Sequence, residues 1–288
     1  MLRIVVVAYK NACQLQLLFD SISRFLKISA ELVVINNSPE QRESFEALRS
    51  PTNLMGYTMV HAPGNLGFGK ATNLAARTRT GEIPWEHLLL LNPDAELLSN
   101  FDSSHLASLN ALNAVCGLRV FNDKEKHERQ FSARSFPNLS TSISGREGWL
   151  TKVWPTNPWS QKYLSPVEGE ASSPVDWVSG CALFVPRAQW ERLKGFDERF
   201  FLYCEDVDLG RRAKLLGIPV FFAPFVDVLH AVHGSARSRP IFADFHHHLA
   251  MTLYFLKWSS LCGLVFSPII VAGIWMRFAL RQARLGRS

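Results

Sequence analysis

The strongest constraint on the fold is an alternation of short apolar runs with longer amphipathic segments in the first third of the chain. Leu2–Ala8 and Glu31–Ile35 are rich in β-branched residues, and His87–Leu91 is almost entirely leucine. Short runs that are mostly apolar and show no alternation with polar residues are typical of strands that are buried on both faces. The segment of about residues 12–26 has its apolar residues at helical spacing. The alternation predicts an α/β domain with a mostly parallel sheet flanked by helices.

Two polar turns follow predicted strands and mark the expected ligand-binding edge of that sheet. Asn36-Asn37-Ser38 follows the second apolar run, and Asn92-Pro93-Asp94 follows the third. In parallel α/β sheets, ligands bind beyond the carboxyl ends of the strands. A carboxylate at that edge, here Asp94, is suited to holding Mg²⁺ or Mn²⁺ together with a diphosphate. The alternative for Asp94 taken alone is a turn aspartate that caps a helix.

The segment from Asn65 to Asn73 reads NLGFGKATN, with two glycines before an alanine-rich helical pattern. Its glycines are similar to those of a phosphate-binding loop. The segment contains neither G-x-x-x-x-G-K-[ST] nor G-x-G-x-x-G, so it meets neither nucleotide motif. A plain turn at the start of a helix therefore remains an alternative.

Acidic residues cluster in Gly195–Arg212, which reads GFDERFFLYCEDVDLGRR. Glu205, Asp206 and Asp208 follow an aromatic run at a position where a helix can begin. Acidic residues in a first helical turn are favoured by the helix dipole. Two interpretations remain open for this cluster: solvated acids at a helix start, or a carboxylate at the mouth of a site that accepts a proton.

Histidines near the end of the predicted sheet are candidate metal ligands. His230 follows a short apolar run, and His233 comes one turn later. Imidazole combined with carboxylate suits Mn²⁺, so His230 is the first candidate and His233 the second. A lone histidine is more often structural, which is the alternative for both. The run 246–248 is interpreted as polar surface or interface, because consecutive residues on a helix face different directions.

Composition argues against several classes of protein. The five cysteines are scattered without a C-x-x-C pair, which indicates neither a zinc ribbon nor a disulfide framework and fits a reducing cytoplasm. The formal net charge of +6 is modest, and no RNA-binding or helix-turn-helix pattern supports a nucleic-acid partner. The last twelve residues carry four arginines and no acidic residue. A basic tail of this kind favours contact with anionic lipid. The four are Arg277, Arg281, Arg284 and Arg287.

The last fifty residues favour contact with a membrane. Residues 258–276 carry no charge, which is close to the ~20 residues that a bilayer span needs, but Pro268 divides them. The basic tail is expected to stay in the cytoplasm. We predict a helix or broken hairpin that lies in the membrane interface. A core helix packed on the domain and a single true span are the alternatives.

The predicted domain organisation has two parts. Residues 1–240 form the α/β domain, and residues 241–288 form a helical, membrane-associated segment with the basic tail. Within the first part, residues 123–173 are rich in Ser, Pro, Asn and Trp and show little periodicity. Loops of this length are usually functional or disordered, so we predict an irregular insertion or a mobile lid.

Six motifs occur in one order along the chain: VVVAYK, VVINNS, NLGFGKATNLAAR, LLLLNPDAEL, DWVSGCALFVPR and GFDERFFLYCEDVDLGRRAKLLG. The segment at His230 follows them. This series resembles the family 2 glycosyltransferases of the GT-A fold, especially their rhamnosyltransferase-like branch. The resemblance covers about residues 1–240 and implies a Rossmann-like GT-A domain.

The resemblance also implies roles for particular residues. Asp206 would be the general base with Glu205 beside it, and Asp94 and His230 would hold Mg²⁺ or Mn²⁺. Family members place an acid near the nucleotide base where this chain has Asn36, which is a departure from the pattern. The residues expected to bind the nucleotide sugar are Ala8, Tyr9, Asn36, Asn65, Gly67, Lys70, Asn73, Asn92, Trp177 and Gly180.

The function that the resemblance implies is an inverting transfer of a sugar from a nucleotide diphosphate donor. dTDP-L-rhamnose is the expected donor, and a membrane-held glycan or lipid-linked molecule of surface polysaccharide synthesis is the expected acceptor. The expected location is the cytoplasmic face of the plasma membrane. Two alternatives remain: a nucleotide-sugar hydrolase or nucleotidyltransferase on a related sheet, and a non-catalytic membrane-bound relative.

Overall fold

The computed structural model describes residues 1–81, 84–130, 132–137, 153–154, 156, 169–230, 240–259 and 267–285. Most of the predicted insertion, and His233, lie outside the described residues. The strands are β1 Leu2–Ala8, β2 Ala30–Asn36, β3 Gly56–His61, β4 His87–Leu91, β5 Ala95–Leu97, β6 Val115–Phe121, β7 Ala133–Arg134, β8 Ser173–Pro174, β9 Trp177–Val178, β10 Ala182–Pro186 and β11 Val220–His230. The helices are α1 Ala12–Phe25, α2 Arg42–Glu46, α3 Phe68–Arg77, α4 Ser103–Ala111, α5 Arg187–Leu193, α6 Glu205–Leu215, α7 Pro240–Trp258 and α8 Ser267–Leu285, and a 3₁₀ turn, Pro39–Gln41, precedes α2.

The first half of the main sheet is parallel, as the alternation of apolar runs predicts. Strand β1 pairs in parallel with both β2 and β4, and β2 pairs in parallel with β3. Every residue of β1 and β2 is buried, which explains why both segments lack polar alternation. The carboxyl ends of β1, β2 and β4 therefore meet at one edge of the sheet.

The second half makes the sheet mixed rather than mostly parallel. The strand order is β3-β2-β1-β4-β10-β6-β11-β5, with β8 beside β11. Strand β10 runs antiparallel between β4 and β6, and β11 is parallel to β6 but antiparallel to β5 and β8. All five residues of β10 are buried, as in a central parallel strand. Burial on both faces gives the same sequence pattern in either direction, so the pattern could not reveal the reversal.

Helices cover both faces of the sheet and bury two apolar layers. On one face, Leu15, Leu18 and Ile22 of α1 pack on the sheet, as their helical spacing predicts. On the other face, α3, α5 and α6 contribute residues such as Ala71 and Leu209. The sheet is therefore enclosed between two helix layers, and its carboxyl edge stays open for a site.

The helix α7 packs directly on the α/β domain. Ala250 and Tyr254 on its inner face are buried in one apolar cluster with Phe200 and Val207. Helix α8 packs in turn on α7. Among the residues that the structure describes, no helix is both long enough and apolar enough to cross a membrane.

Candidate active site

The pairing of β5 with the end of β11 brings Asp94 and His230 together. In this antiparallel ladder Ala95 lies opposite His230, which places the preceding residue, Asp94, against the imidazole. His230 Nε2 lies 3.3 Å from Asp94 Oδ1. On the other side of the ring, His230 Nδ1 lies 2.9 Å from Gln130 Oε1. A glutamine oxygen can only accept, so the contact with Gln130 is a hydrogen bond in the tautomer that carries its proton on Nδ1, and that tautomer leaves Nε2 as a possible metal ligand beside Asp94.

This arrangement fits a divalent cation. A histidine that donates through one ring nitrogen to a fixed acceptor is oriented for ligation through the other. A carboxylate oxygen with an imidazole nitrogen suits Mn²⁺, whereas Mg²⁺ prefers oxygen ligands alone. Within the described residues, no group of three His, Cys, Asp or Glu side chains could hold a metal. Two protein ligands are nevertheless sufficient for an ion that takes its remaining ligands from phosphates and water.

A cleft of about 310 Å³ opens in front of the Asp94–His230 pair. Its wall also includes the aromatic run 201–203 and the first turn of α7. A larger cavity of about 670 Å³ lies at the amino ends of β1 and β4, on the wrong edge for a site at strand carboxyl ends. Six of the predicted site residues line the 310 Å³ cleft: Tyr9, Asn65, Gly67, Asn92, Asp94 and His230.

The glycine-rich segment reaches the cleft because it contacts the aromatic run through backbone atoms. Phe68 N donates to Phe201 O at 2.8 Å. Gly67 has φ 79°, in the left-handed region, and a Cβ at this position would lie 2.3 Å from Phe201 O. Only glycine allows both this dihedral angle and this approach. Asn37 Nδ2 donates to Gly67 O at 3.1 Å, which ties the segment to the end of β2.

The acidic cluster begins α6 after a strained turn. Tyr203 and Cys204 both adopt positive φ, at 71° and 62°. Each left-handed residue of this type costs about 1–2 kcal/mol, and such strain is often found at functional sites. The turn directs the Asp206 carboxylate at backbone donors: Gly180 N donates to Oδ2 at 3.2 Å, and Val207 N donates to Oδ1 at 2.8 Å.

Burial perturbs both carboxylates at the start of α6. Burial raises the pKa of Asp206, and the N–H groups of Gly180 and Val207 partly oppose that rise. Glu205 is only 6% exposed, and burial, followed by the neighbouring charge of Asp206, raises its pKa well above the ordinary value. A general base works best with a pKa near the working pH. Asp206 is therefore suited to accept a proton, whereas the neutral form of Glu205 is favoured.

The dipeptide Gly180–Cys181 lies close to both candidate carboxylates, Asp94 and Asp206. Asn92 N donates to Cys181 O at 2.9 Å, and Gly180 N donates to Asp206. Burial raises the pKa of the Cys181 thiol to about 12, and the charges of Asp206 and Asp94 add to the rise. Both acids therefore lie within electrostatic reach of Cys181, although they are far apart in the chain.

Several predicted binding residues lie outside the cleft wall. Asn36 is fully buried: its Oδ1 accepts from Ser38 N at 2.8 Å, and its Nδ2 lies 3.0 Å from His61 Nδ1. Its amide therefore shapes the turn after β2. Asn73 donates to Phe196 O and accepts from Phe196 N, both at 2.9 Å, and so holds the turn before the acidic cluster.

The remaining predicted binding residues have supporting positions. Ala8 is buried in β1, and Lys70 is exposed on α3. Trp177 Nε1 donates to Ser135 O at 2.9 Å, and its Cβ lies against α6 where Gly210 leaves room. Gly180 contributes its N–H to Asp206. None of these four residues lines the cleft.

Sequence reasoning missed part of the cleft wall. Phe201, Leu202 and Tyr203 line the cleft, although none of them was among the predicted binding residues. Phe242 and Ala243 at the start of α7 also line it. An aromatic run next to an acidic cluster was a usable signal for the first group. The second group has no local signal, because its position depends on how α7 packs on the domain.

The fold and the site define a glycosyltransferase of the GT-A type. The model of the family "Glycosyl transferase family 2" matches residues 3–162, more than half of the chain, and the chain belongs to this family. Two solved structures share the fold. GalNAc-T7 with UDP, GalNAc and Mn²⁺ matches with a TM-score of 0.56 at 14% identity, over 80% of this chain and 43% of its own. Mannosyltransferase PcManGT from Pyrobaculum calidifontis, with GDP-Man and Mn²⁺, matches with a TM-score of 0.55 at 16% identity, over 95% and 69%.

Sequence relatives place the chain in the rhamnosyltransferase-like branch of the family. It is 27% identical to N-acetylglucosaminyl-diphospho-decaprenol L-rhamnosyltransferase of Mycobacterium tuberculosis over 255 residues, 85% of this chain and 81% of the relative. It is 29% identical to rhamnosyltransferase WbbL of Escherichia coli over 198 residues, 67% of this chain and 71% of the relative. The predicted enzyme class, a glycosyltransferase, is thereby confirmed.

Proposed function

We propose that this enzyme transfers L-rhamnose, with inversion, from dTDP-L-rhamnose to a lipid-linked or otherwise membrane-held acceptor in surface polysaccharide synthesis. The sugar and the type of acceptor follow the names of the two sequence relatives. The observation that carries the proposal is the placement of Asp206 and the Asp94–His230 pair on either side of Gly180–Cys181. Asp206 does not itself line the 310 Å³ cleft, so the proposal requires a sugar bound at the Asp94–His230 pair to reach from the cleft to the Asp206 carboxylate.

Asp206 acts as the general base in this proposal. Its carboxylate removes the proton from the acceptor hydroxyl, and the hydroxyl oxygen forms a bond to the anomeric carbon. The bond from that carbon to the diphosphate oxygen breaks on the opposite face, which inverts the configuration. A general base of this kind contributes about 10²–10⁴-fold to the rate. The diphosphate is already a good leaving group, so no second carboxylic acid is needed to protonate it.

Asp94 and His230 would hold Mg²⁺ or Mn²⁺. Such an ion, when bound, offsets the charge that grows on the leaving diphosphate. Asn92 belongs to the same group, because its Nδ2 lies 3.1 Å from His230 Nε2. Rotation of this amide by half a turn would present its oxygen to the same point. Tyr9, Asn65 and Gly67 form the part of the wall that we assign to the nucleotide.

The enzyme works, in this proposal, at the cytoplasmic face of the plasma membrane as a peripheral protein. Residues 241–288 provide the attachment, because residues 277–288 contain four arginines and no acidic residue. Clusters of this type bind anionic lipids of the cytoplasmic leaflet. The acceptor and the enzyme would then share one surface.

The variant Asp206→Asn tests the assignment of the base. Transfer to an acceptor should fall at least about a hundredfold, while calorimetry with dTDP-L-rhamnose should show unchanged donor binding. Asp20→Asn, on the exposed surface of α1, is the matched control and should keep full turnover. Unchanged turnover of Asp206→Asn would remove Asp206 from the role. Release of free rhamnose without any acceptor glycoside would favour a nucleotide-sugar hydrolase instead.

A further inference from the structure

The helix α8 presents an apolar face to solvent. Between residues 267 and 283, every exposed residue that the structure describes is proline, glycine, alanine, isoleucine, leucine or methionine. The three largest are more than half exposed: Ile269 at 71%, Met276 at 62% and Leu280 at 55%. These residues repeat at helical spacing and so form one continuous stripe.

Two polar side chains near the end of α8 contact α7, although the Arg281 side chain stays 41% exposed. Gln282 Nε2 donates to Asp244 Oδ2 at 2.7 Å, and Arg281 Nη1 lies 3.2 Å from Asp244 Oδ1. Asp244 belongs to α7 and is itself buried. A helix at a water-exposed surface normally turns its polar residues outward. The reversed arrangement of α8 indicates that its outward stripe contacts an apolar environment in the working protein.

The stripe continues onto α7 and reaches the cleft. Phe245 of α7 is 40% exposed and packs on Trp275 and Phe278 of α8, with ring centroids 5.5 and 6.1 Å apart. Ile241, one turn earlier, is 60% exposed. Phe242, the next residue, lines the cleft. The apolar surface and the cleft therefore share the first turns of α7.

Charge selects a lipid surface over a second copy of the chain. The segment 267–288 contains four arginines and no acidic residue. In a two-fold dimer built on α8, two segments of like net charge would lie side by side, although Arg281 of each is paired with Asp244 of α7. Anionic phospholipid headgroups attract such residues, at about 1 kcal/mol for each one near the surface.

We propose that the outward stripe of α8, together with Ile241 and Phe245, docks flat on an anionic phospholipid bilayer. The cleft mouth beside Phe242 then opens at the headgroup layer, where a lipid-linked acceptor presents its sugar. The docking of α8 deepens the membrane attachment in the proposed function, and the position of the cleft mouth rests on the proposed transfer to a lipid-linked acceptor. A helix of 19 residues, about 28 Å long, lies along the interface in this orientation.

The experiment uses the full chain and vesicles of phosphatidylcholine with or without phosphatidylglycerol. Ile269→Asp, Met276→Asp and Leu280→Asp should each lower the vesicle partition coefficient about tenfold, because each removes an inserted side chain. Met55→Asp and Leu215→Asp are matched controls, since these residues are 61% and 74% exposed outside α7 and α8. Both controls should bind vesicles as the wild type does. Vesicles without phosphatidylglycerol should bind the wild type more weakly.

A second measurement separates docking from catalysis. Transfer is compared between a lipid-linked acceptor in vesicles and a short-chain, water-soluble analogue of it. Ile269→Asp should reduce transfer to the first acceptor at least about tenfold and leave transfer to the second unchanged. Equal partitioning of wild type and all variants would overturn the proposal. So would a wild-type dimer that Ile269→Asp dissociates without any vesicle binding, because a second copy would then cover the stripe.

The same data distinguish failure of the proposed function. If the wild type glycosylates neither acceptor but the stripe variants still lose vesicle binding, the docking surface is supported and the proposed activity is wrong. If both acceptors are glycosylated and the stripe variants behave as the controls do, the activity is supported and the docking surface is wrong.

Discussion

Removal of Lys257 tests whether α7 is part of the catalytic unit. Asp208 is fully buried in the first turn of α6, two residues after Asp206. Its carboxylate accepts hydrogen bonds from three donors: Lys257 Nζ, Trp258 Nε1 at 2.9 Å and Arg212 Nε at 2.8 Å. Two of these donors belong to the last turn of α7. The variant Lys257→Met keeps the aliphatic stem and removes the charged donor.

The contacts set the expected loss of stability. Removal of one partner of a buried ion pair costs about 3–5 kcal/mol when the other charge is left uncompensated. Lys257 Nζ also donates to Asp197 Oδ2 at 2.7 Å, and Arg212 and Arg199 still compensate Asp208 and Asp197 after the substitution. The loss therefore approaches that of one hydrogen bond to a charged group, about 1.5–3 kcal/mol, plus about 0–1 kcal/mol for the partly exposed pair with Asp197. We therefore expect the free energy of unfolding to fall by about 2–3 kcal/mol. In a protein of this size, that change lowers the melting temperature by about 4–10 °C.

Urea unfolding of Lys257→Met is compared with that of Lys214→Met. Lys214 lies on α6, is 68% exposed, and its Nζ is 3.4 Å from Asp176 Oδ1. Exposed pairs of this type contribute about 0–1 kcal/mol. If Lys257→Met costs no more than Lys214→Met, the first turn of α6 does not depend on α7, and the reasoning is wrong.

Three further predictions concern the cleft. Gly67→Ala should lower the free energy of unfolding in urea by about 2–4 kcal/mol, because Gly67 has a left-handed φ and an added Cβ would lie 2.3 Å from Phe201 O. Gly64→Ala is the control and should lower it far less, since an added Cβ there meets nothing within 4 Å. Equal losses for the two variants would contradict the clash at Gly67. Glu205 has a raised pKa in the folded protein, so the wild type should lose stability as pH rises above about 4.5 toward that pKa. Glu205→Gln should lack this loss, and identical pH slopes in urea unfolding would exclude the effect. Asp94→Ala should make calorimetric donor affinity independent of Mn²⁺; a variant that still responds to Mn²⁺ would show that the ion binds elsewhere.

The sequence predicted the parallel half of the sheet because that half has an unambiguous physical signature. Leu2–Ala8 and His87–Leu91 are too apolar and too short for anything but doubly buried strands. The direction of Ala182–Pro186 carries no such signature, because burial depends on the helix layers and not on strand direction. Strand order in that half depends on pairing between residues that are distant in the chain.

The site shows the same division between local and distant information. Local signals made Asp94 and the acids at a helix start candidates with open alternatives, and the resemblance to the family then assigned the metal to Asp94 and the base to Asp206. Asn36 and Asn73 were indistinguishable from binding residues in the sequence, since an amide that holds a turn and one that meets a ligand have the same chemistry. The contribution of α7 depends on contacts such as that of Lys257 with Asp208, which no local pattern encodes.

The most direct test of the account is a crystal structure of the enzyme with dTDP-L-rhamnose and Mn²⁺. We predict anomalous density for manganese between Asp94 Oδ1 and His230 Nε2, with the sugar between that ion and the carboxylate of Asp206. Manganese bound away from this pair, or a sugar whose anomeric carbon Asp206 cannot approach from the face opposite the diphosphate, would contradict it.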